Sequence, residues 1–260
     1  MANASESGPA DEQGIEFRSE MTVELVKSSA SDADVLFAAR VSTKGEQSLD
    51  DLDADPSRST GLINYLMRDR HGSPFEHNSL TYFVSAPIFV FREFMRHRIA
   101  SYNEESGRYR ELRPVFYVPG PERKLVQEGK PGHYDFVEGS PEQHALVVAE
   151  TMKACEQAYR SYQEMLAAGV AREVARIVLP VGTYSSMYVT MNARALMNFL
   201  SLRTKRENSS FPSYPQREIE MVVDDHDGDL PAQLVEGLEQ LLDDGGRQAL
   251  ERLVEQQHPG

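Results

Sequence analysis

A long helix beginning at Ser140 is the feature that most constrains the fold of this chain. Ser140 is a good N-cap, Pro141 suits the first helical position, and Gln143 stands where a capping box places its second partner. The helix is predicted to run to about Ala168, because Gly169 is suited to end it. Any fold for this chain has to accommodate that helix.

Shorter strand and helix patterns are mixed along the rest of the chain. Strands are predicted at residues 21–27, 78–86, 114–119 and 183–191. Helices are predicted at residues 31–42, 61–70, 87–98, 171–179 and 192–205, and loops at residues 45–60 and 119–140. Because no regular βαβ rhythm appears, the sequence favours an α+β fold, with a largely antiparallel β-sheet flanked by helices.

The predicted domain organisation is simple. Residues 1–20 are polar and acidic and predict a disordered tail. Residues 21–223 predict a single domain, since neither an internal repeat nor a linker divides them. Residues 224–260 predict an acidic, partly helical C-terminal extension.

Charge and composition exclude several classes of function. The net charge of -14 argues against a nucleic-acid partner, which requires a broad basic surface. No apolar run approaches the roughly 20 residues of a membrane span, so no membrane partner is expected. The chain has 1 Cys, which is typical of a reducing compartment, and we expect a cytoplasmic protein.

The segment from Met95 to Leu112 concentrates arginine and hydroxyl side chains within this acidic chain. One interpretation is a solvated helix face on which Glu93 pairs with Arg96 and His97. The other is a pocket for a phosphorylated ligand, since arginines, hydroxyls and turn N–H groups are the donors that phosphate prefers. The second interpretation is favoured, because Ser, Asn and Gly residues predict turns there.

Two further segments carry arginines at helical spacing. Arg172 and Arg176 would share one helix face, which fits a solvated surface as well as a site. In the apolar helix 192–205, Arg194 and Asn198 share one face and Arg203 points to roughly the opposite side. That helix could lie between two polar pockets.

No metal site is predicted. His71 and His77 lack a third ligand at a suitable spacing, and two such histidines are more often structural. The acidic run that begins at Asp225 has Leu230 where a calcium loop requires glycine. Cys155 lies inside the predicted long helix and is interpreted as a packing residue rather than a nucleophile.

The segments together resemble one enzyme family, the flavin-dependent thymidylate synthases. The family signature is Arg-His-Arg, seven residues and then Ser, and here it is formed by Arg96, His97, Arg98 and Ser106. The stretches "HGSPFEH", "APIFV", "REVARIVLP" and "NARALMNFLSLR" resemble further family blocks in family order. The resemblance extends from about Met21 to Arg206.

The resemblance implies reductive methylation of dUMP to dTMP. Methylenetetrahydrofolate would supply the carbon, FAD would be the prosthetic group, and NADPH the reductant. It also implies a homotetramer with shared active sites and a reaction without a cysteine nucleophile. A catalytically silent nucleotide- or flavin-binding regulatory protein is the alternative, and a phosphohydrolase is disfavoured because no metal cluster is evident.

The resemblance also implies roles for individual residues. Arg203 matches the catalytic arginine that stabilises the N3-deprotonated uracil. The residues that match dUMP contacts are Glu93, Arg96, Glu104, Ser106, Gly107, Arg108, Arg176 and Arg203. The residues that match FAD contacts are His71, Ser73, Arg96, His97, Arg98, Glu104, Asn192, Arg194 and Asn198. Many relatives have a His shortly after the arginine that matches Arg203, where this chain has "TKREN".

Overall fold

The computed structural model describes residues 14–45, 56–130, 133–203 and 218. Its strands are β1 (Glu16–Arg18), β2 (Thr22–Ser28), β3 (Leu80–Pro87), β4 (Ser101–Glu104), β5 (Val115–Tyr117), β6 (Val126–Lys130), β7 (His133–Val137) and β8 (Tyr184–Met191). Its helices are α1 (Asp32–Lys44), α2 (Pro56–Arg68), α3 (Ile88–Phe94), α4 (Pro141–Ala167), α5 (Arg172–Ala175) and α6 (Ala193–Arg203). Short 3-10 turns occupy Ser73–Glu76 and Arg176–Val178.

The strands form three groups. A four-stranded sheet has the order β2-β3-β8-β4, β1 pairs with β5 in parallel, and β6 pairs with β7 antiparallel. The predicted α+β class, with antiparallel sheet, helices and one long helix, is confirmed. None of the helices among the described residues is long and apolar enough to cross a membrane.

The chain divides into two compact units, and each consists of segments that are separate in the sequence. The described residues of the first unit fall within Met1–Thr22, Val84–Arg96 and Asn103–Met187. Those of the second unit fall within Val23–Phe83, His97–Tyr102 and Tyr188–Gly260. The sequence predicted a single domain at 21–223, whereas the contacts within the chain define these two interleaved units.

The first unit is organised around α4. The predicted capping box is present: the Gln143 N–H donates to Ser140 Oγ at 3.2 Å, and the Ser140 N–H donates to Gln143 Oε1 at 2.8 Å. Gly169 follows the helix with a φ of +81°, a conformation that favours glycine. The side chains packed together in this core are Ile15, Phe17, Phe116, Cys155, Tyr159, Tyr162 and Ala175.

In the second unit, the 3-10 turn Ser73–Glu76 packs against α1 and α6, and α1 also packs against α2. The predicted N-cap Ser31 accepts a hydrogen bond from the Asp34 N–H at 3.3 Å. Helix α2 ends in a Schellman motif, in which the His71 N–H donates to Leu66 O at 2.8 Å and the Arg70 N–H donates to Met67 O at 3.1 Å. Arg70 takes the left-handed position of that motif with a φ of 58°.

The predicted disordered tail 1–20 is wrong at its C-terminal end. Residues 16–18 form β1, and Ile15 and Phe17 are buried in the core of the first unit. The residues that follow β1 are held as well, because the Tyr184 hydroxyl donates a hydrogen bond to the Glu20 carbonyl at 2.9 Å. Residues 1–13 and the predicted extension 224–260 lie outside the described residues.

The structure also corrects three local predictions. The predicted connection 119–140 contains the β6–β7 hairpin. Helix α2 begins at Pro56, inside the predicted loop 45–60. The predicted helix 171–179 is α5 followed by a 3-10 turn.

The predicted helix 87–98 ends at Phe94, so the ladder of ion pairs considered for its last turn does not form on a helix. The backbone tightens there, because the Arg96 N–H donates to Glu93 O at 3.3 Å, three residues back. The His97 carbonyl accepts from the Tyr102 hydroxyl at 2.8 Å. Residues 101–104, which predicted a turn, form β4.

Candidate active site

The loop from Glu104 to Arg110, called here the 104–110 loop, carries the centre of the predicted dUMP site in the first unit. It begins at the last residue of β4 and turns at Ser106, whose carbonyl accepts from the N–H groups of Tyr109 and Arg110 at 3.0 and 3.2 Å. Ser106 Oγ accepts from the Arg108 N–H at 3.3 Å. These bonds fold the loop so that its polar groups share one short turn.

Gly107 brings this loop close to Arg176. A Cβ added at Gly107 would lie 3.0 Å from Leu112 Cδ1 and 3.2 Å from Arg176 Cδ. Both distances are tighter than ordinary packing allows, so any side chain here would displace one of these neighbours. Arg176 begins the 3-10 turn that follows α5, and this contact sets it beside Ser106 and Arg108.

The charges around the loop are only partly neutralised. Arg108 Nε lies 3.0 Å from Glu173 Oε1, with both side chains about half exposed. Partial burial raises the pKa of the Glu104 carboxyl group, and Glu105 raises it further, whereas Ser185, Arg176 and Arg92 lower it. An anion at this loop would therefore meet cations that are still open to solvent.

Glu93 and Arg96 belong to the same unit and stand at the end of α3. The backbone bond from the Arg96 N–H to Glu93 O joins them. The Arg96 side chain is exposed and that of Glu93 is half-buried. The remaining residues of the signature, His97 and Arg98, belong to the second unit.

In the second unit, Arg203 is bound to His97. Its Nε–H donates to His97 Nε2 at 2.9 Å, and Arg203 is only 6% exposed. The His97 ring meets Phe199 edge-on, with ring centroids 4.7 Å apart. The signature histidine is thus packed against the last turns of α6.

Arg194 lies at the other end of α6 and contacts the 3-10 turn Ser73–Glu76. Its guanidinium forms an ion pair with Glu76 and remains 58% exposed. A Cβ added at Gly72 would lie 2.7 Å from Arg194 Nε, so glycine at this position allows the arginine to cross the backbone closely. The predicted arrangement, in which Arg194 and Arg203 meet different surroundings, is present within this unit.

Asn192 and Asn78 hold the start of α6. Asn192 Oδ1 accepts from the Ala195 N–H at 2.9 Å, and Asn78 Oδ1 accepts from the Ala193 N–H at 2.8 Å. The buried Nδ2 of Asn78 has no hydrogen-bond partner among the described residues. Asn198 is exposed farther along the helix.

Cys155 is buried in the core of the first unit. Burial raises the pKa of its thiol to about 11, and Glu156 contributes to the increase. A thiol in this environment stays protonated at neutral pH and is a poor nucleophile. No group of three His, Cys, Asp or Glu side chains could hold a metal ion within the part of the chain that the structure describes.

Comparison with known proteins gives the same family as the signature. The family model described as "Thymidylate synthase complementing protein" matches residues 24–225. The flavin-dependent thymidylate synthase of Streptomyces coelicolor is 73% identical over 214 residues, which cover 82% of this chain and 87% of that relative. The Streptomyces avermitilis enzyme of the same name is 72% identical over 215 residues, with the same coverage.

The chain belongs to the flavin-dependent thymidylate synthase family.

Solved structures of a related Streptomyces cacaoi protein also resemble this member of the family. They are of the UMP/dUMP methylase PolB, bound with 5-Br UMP in one case and 5-Br dUMP in the other. The first has a TM-score of 0.77 at 54% identity and covers 86% of this chain and 96% of its own. The second has a TM-score of 0.80 at 55% identity and covers 86% and 97%.

The residues predicted from the family signature separate between the two units. Seven of the eight predicted dUMP residues are in the first unit, and Arg203 is in the second. Seven of the nine predicted FAD residues are in the second unit, while Arg96 and Glu104 are in the first. Each unit therefore gathers mainly one predicted ligand set.

Sequence reasoning missed several residues that shape these sets. Glu105 and Glu173 pair with arginines of the 104–110 loop, and Gly72 and Asn78 set the position of α6. Three of these four residues lie inside stretches that resemble the family, but the resemblance gave none of them a role. A pairing between residues far apart in sequence has no periodicity by which it could be found.

Proposed function

We propose that this chain catalyses the reductive methylation of dUMP to dTMP. The observation that carries the proposal is the close approach of Gly107 to Arg176, which gathers Ser106, Arg108 and Arg176 in one place. Two guanidinium groups and a hydroxyl suit the phosphate of a nucleoside monophosphate. Family membership supplies the reaction, in which a methylene group is transferred to the uracil ring and reduced.

The 104–110 loop and Arg176 are assigned to dUMP, together with Glu93 and Arg96. The loop presents N–H and hydroxyl donors, and the charges of Arg108 and Arg176 would neutralise the phosphate. Glu104 offers a carboxylate acceptor for hydroxyl or N–H groups of a ligand. The half-exposed ion pair between Arg108 and Glu173 can exchange for a phosphate contact at small cost.

FAD is assigned mainly to residues of the second unit, and the donors present there fit such a ligand. Arg98 and Arg194 are exposed cations, and the orphaned Asn78 Nδ2 is a buried donor beside the first residues of α6. A flavin dinucleotide carries a diphosphate and ring carbonyls, which accept hydrogen bonds from such groups. The residues assigned to FAD are His71, Ser73, Arg96, His97, Arg98, Glu104, Asn192, Arg194 and Asn198.

When bound, FAD would pass reducing equivalents from NADPH to the methylene group that methylenetetrahydrofolate donates. Arg203 is assigned the stabilisation of the uracil after loss of its N3 proton, because a guanidinium remains charged throughout the reaction. Its burial and its bond to His97 hold that charge in a fixed direction. Cys155 has no part in this chemistry, since its thiol is buried and protonated.

The active enzyme is further proposed to be a cytoplasmic homotetramer. Apolar side chains remain exposed on the first unit at Val174, Ile177 and Val178, with Ile177 75% exposed. Apolar surface of this kind is typical of an interface between subunits. A sedimentation experiment on the purified, FAD-loaded protein would give the mass of the assembly.

The central experiment combines a spectrum with an assay. Purified protein should be yellow, release FAD on heating, and form dTMP from dUMP with NADPH and methylenetetrahydrofolate. Arg176→Gln should raise KM for dUMP by about tenfold or more, because one charged phosphate contact is lost. Arg160→Gln, an exposed change on α4, is the matched control and should leave KM unchanged.

Two experimental outcomes would contradict this proposal, and each would support a different function. FAD-loaded protein that binds dUMP but forms no dTMP would support the silent regulatory alternative. Preferential methylation of UMP is the second candidate activity, because the Streptomyces cacaoi neighbours are described as UMP/dUMP methylases. The thymidylate synthase at 73% identity favours dUMP, and direct competition between the two nucleotides decides between them.

A further inference from the structure

Glu105 holds the 104–110 loop against β8 at two points. Its backbone N–H donates to Ser186 O at 2.8 Å, and its carboxylate Oε2 accepts from Ser186 Oγ at 3.1 Å. The Glu105 side chain is only 9% exposed. The residue before the predicted phosphate contacts is therefore fixed to the sheet through both its main chain and its side chain.

The other oxygen of the same carboxylate reaches across the loop. Arg110 Nε lies 2.9 Å from Glu105 Oε1 in an ion pair without a hydrogen bond, since Oε1 has no hydrogen-bond partner among the described residues, and the Arg110 side chain is 60% exposed. The residues enclosed by this ion pair are Ser106, Gly107, Arg108 and Tyr109. The Glu105 carboxylate thus contacts β8 through one oxygen and the last residue of the loop, Arg110, through the other.

The geometry points to Glu105 as a positioning residue for dUMP, which closes the 104–110 loop through Arg110 before the nucleotide arrives. This inference rests on the proposed function, since it assumes that the loop receives the nucleotide phosphate. A loop that is already folded loses less conformational freedom when the ligand binds, so the ligand binds more tightly. Glu105 itself does not need to touch the ligand.

The alternative roles of Glu105 predict different results. A phosphate contact by Glu105 is excluded by its charge, because a carboxylate repels a phosphate. A purely structural role predicts loss of stability with little change in the affinity of folded protein for dUMP. A positioning role predicts weaker dUMP binding while FAD retention and kcat stay close to the wild-type values.

The test uses the FAD-loaded enzyme and three variants. Glu105→Gln keeps an acceptor for Ser186 but removes the charge that pairs with Arg110. Arg110→Gln removes the other partner at an exposed position that folding tolerates. Both single variants should raise KM and the calorimetric Kd for dUMP by about three- to tenfold, with kcat and the FAD:protein ratio changed less than about twofold.

The double variant Glu105→Gln/Arg110→Gln should bind dUMP no more weakly than the single variant with the lower affinity, because both changes break the same interaction. Glu150→Gln is the matched control, since Glu150 pairs with Lys153 at 3.6 Å on the exposed face of α4. It should leave dUMP binding unchanged. Thermal unfolding of every variant separates loss of fold from loss of affinity.

The outcomes separate this inference from the function on which it rests. Wild-type enzyme that neither binds dUMP nor forms dTMP would overturn the proposed function. Active wild-type enzyme whose Arg110→Gln variant binds dUMP normally would overturn the role of Glu105 alone. Should Glu105→Gln fail to fold, Arg110→Gln tests the same ion pair.

Discussion

The side chain of Arg203 donates its Nε–H to Nε2 of His97 at 2.9 Å. An arginine has donors and no acceptor, so Nε2 must supply the lone pair. The neutral His97 ring therefore carries its proton on Nδ1. The catalytic arginine predicted from the family and the histidine of the family signature form one hydrogen-bonded unit.

This bond predicts opposite tautomers for two histidines. His97 should show the Nδ1–H tautomer in long-range ¹H–¹⁵N spectra at pH 8. His144 should show the Nε2–H tautomer, because its Nε2 lies 3.2 Å from the Gly120 carbonyl, which can only accept. Spectra in which the neutral His97 ring carries its proton on Nε2 would contradict the bond to Arg203.

Arg203→Ala and Arg194→Ala should have separable effects. Loss of Arg203 should lower the rate of dTMP formation by roughly 10²–10³, as expected when a charge that stabilises the transition state is removed. Loss of Arg194 should first lower the FAD:protein ratio, since this exposed arginine lies beside Gly72 among the predicted FAD residues.

The two variants are compared by absorbance and by rate with saturating FAD, with Arg160→Ala on α4 as the control. Recovery of the full rate by Arg203→Ala when FAD is added would show that the two assignments are reversed.

Cys155→Ala should retain turnover per folded protein. Removal of a buried thiol should lower the free energy of unfolding by about 1 kcal/mol through lost packing. Mass spectrometry should find Cys155 of the native wild type unmodified after treatment with iodoacetamide at pH 8, and alkylated after unfolding. Complete loss of turnover in a folded variant would mean that the thiol takes part in catalysis.

The pKa of the Cys155 thiol also fixes the sign of a pH effect. Burial raises its pKa to about 11 in the folded protein, above the ordinary thiol value of 9.0, so folding favours the neutral thiol. Stability from this group is fully present below pH 9 and declines as the pH rises through the interval between the two values. Above pH 9, the Tm of the wild type should therefore fall relative to the Tm of Cys155→Ala.

Tyr162→Phe should destabilise the protein by about 1 kcal/mol, since it removes a buried hydrogen-bond partner. The Tyr162 hydroxyl accepts from the Leu112 N–H at 3.3 Å, and the ring is fully buried. Tyr109→Phe is the control, because Tyr109 is 78% exposed. Chemical denaturation of the two variants measures the difference, and equal midpoints would contradict the assigned bond.

Arg70→Gly should stabilise the protein by about 1 kcal/mol, because a left-handed backbone is strained for every residue except glycine. Arg70 has a φ of 58° at the end of α2. Arg68→Gly, inside the last turn of the same helix, is the control and should destabilise by a similar amount. Thermal unfolding distinguishes the signs, and destabilisation by both changes would show that Arg70 contributes more than its backbone conformation.

The sequence predicted those features that depend on residues close together in the chain. The ends of α4 were predicted correctly, because Ser140, Pro141, Gln143 and Gly169 act within one turn of the helix. The long-range features were missed. Strand β1 has three residues and depends on pairing with β5, and β6 is too exposed to show an alternating pattern.

The candidate site shows the same division. The signature identified Arg96, His97, Arg98 and Ser106 through their spacing. It did not indicate that α3 would end before Arg96, because Tyr102 binds the His97 carbonyl from beyond the predicted helix. The pairing of Glu105 with Arg110 joins two residues of a charged run, and composition alone does not distinguish partners within such a run.

The interleaving of the two units affects how this protein can be inherited and engineered. Six alternating segments make up the units, so the chain passes between them five times, once between Arg96 and His97 inside the signature itself. A single crossover between two related genes cannot exchange one unit and leave the other whole, because every breakpoint divides at least one of the two units. Recombination and domain grafting will therefore succeed most readily when the whole region from β1 to α6 is exchanged as one block.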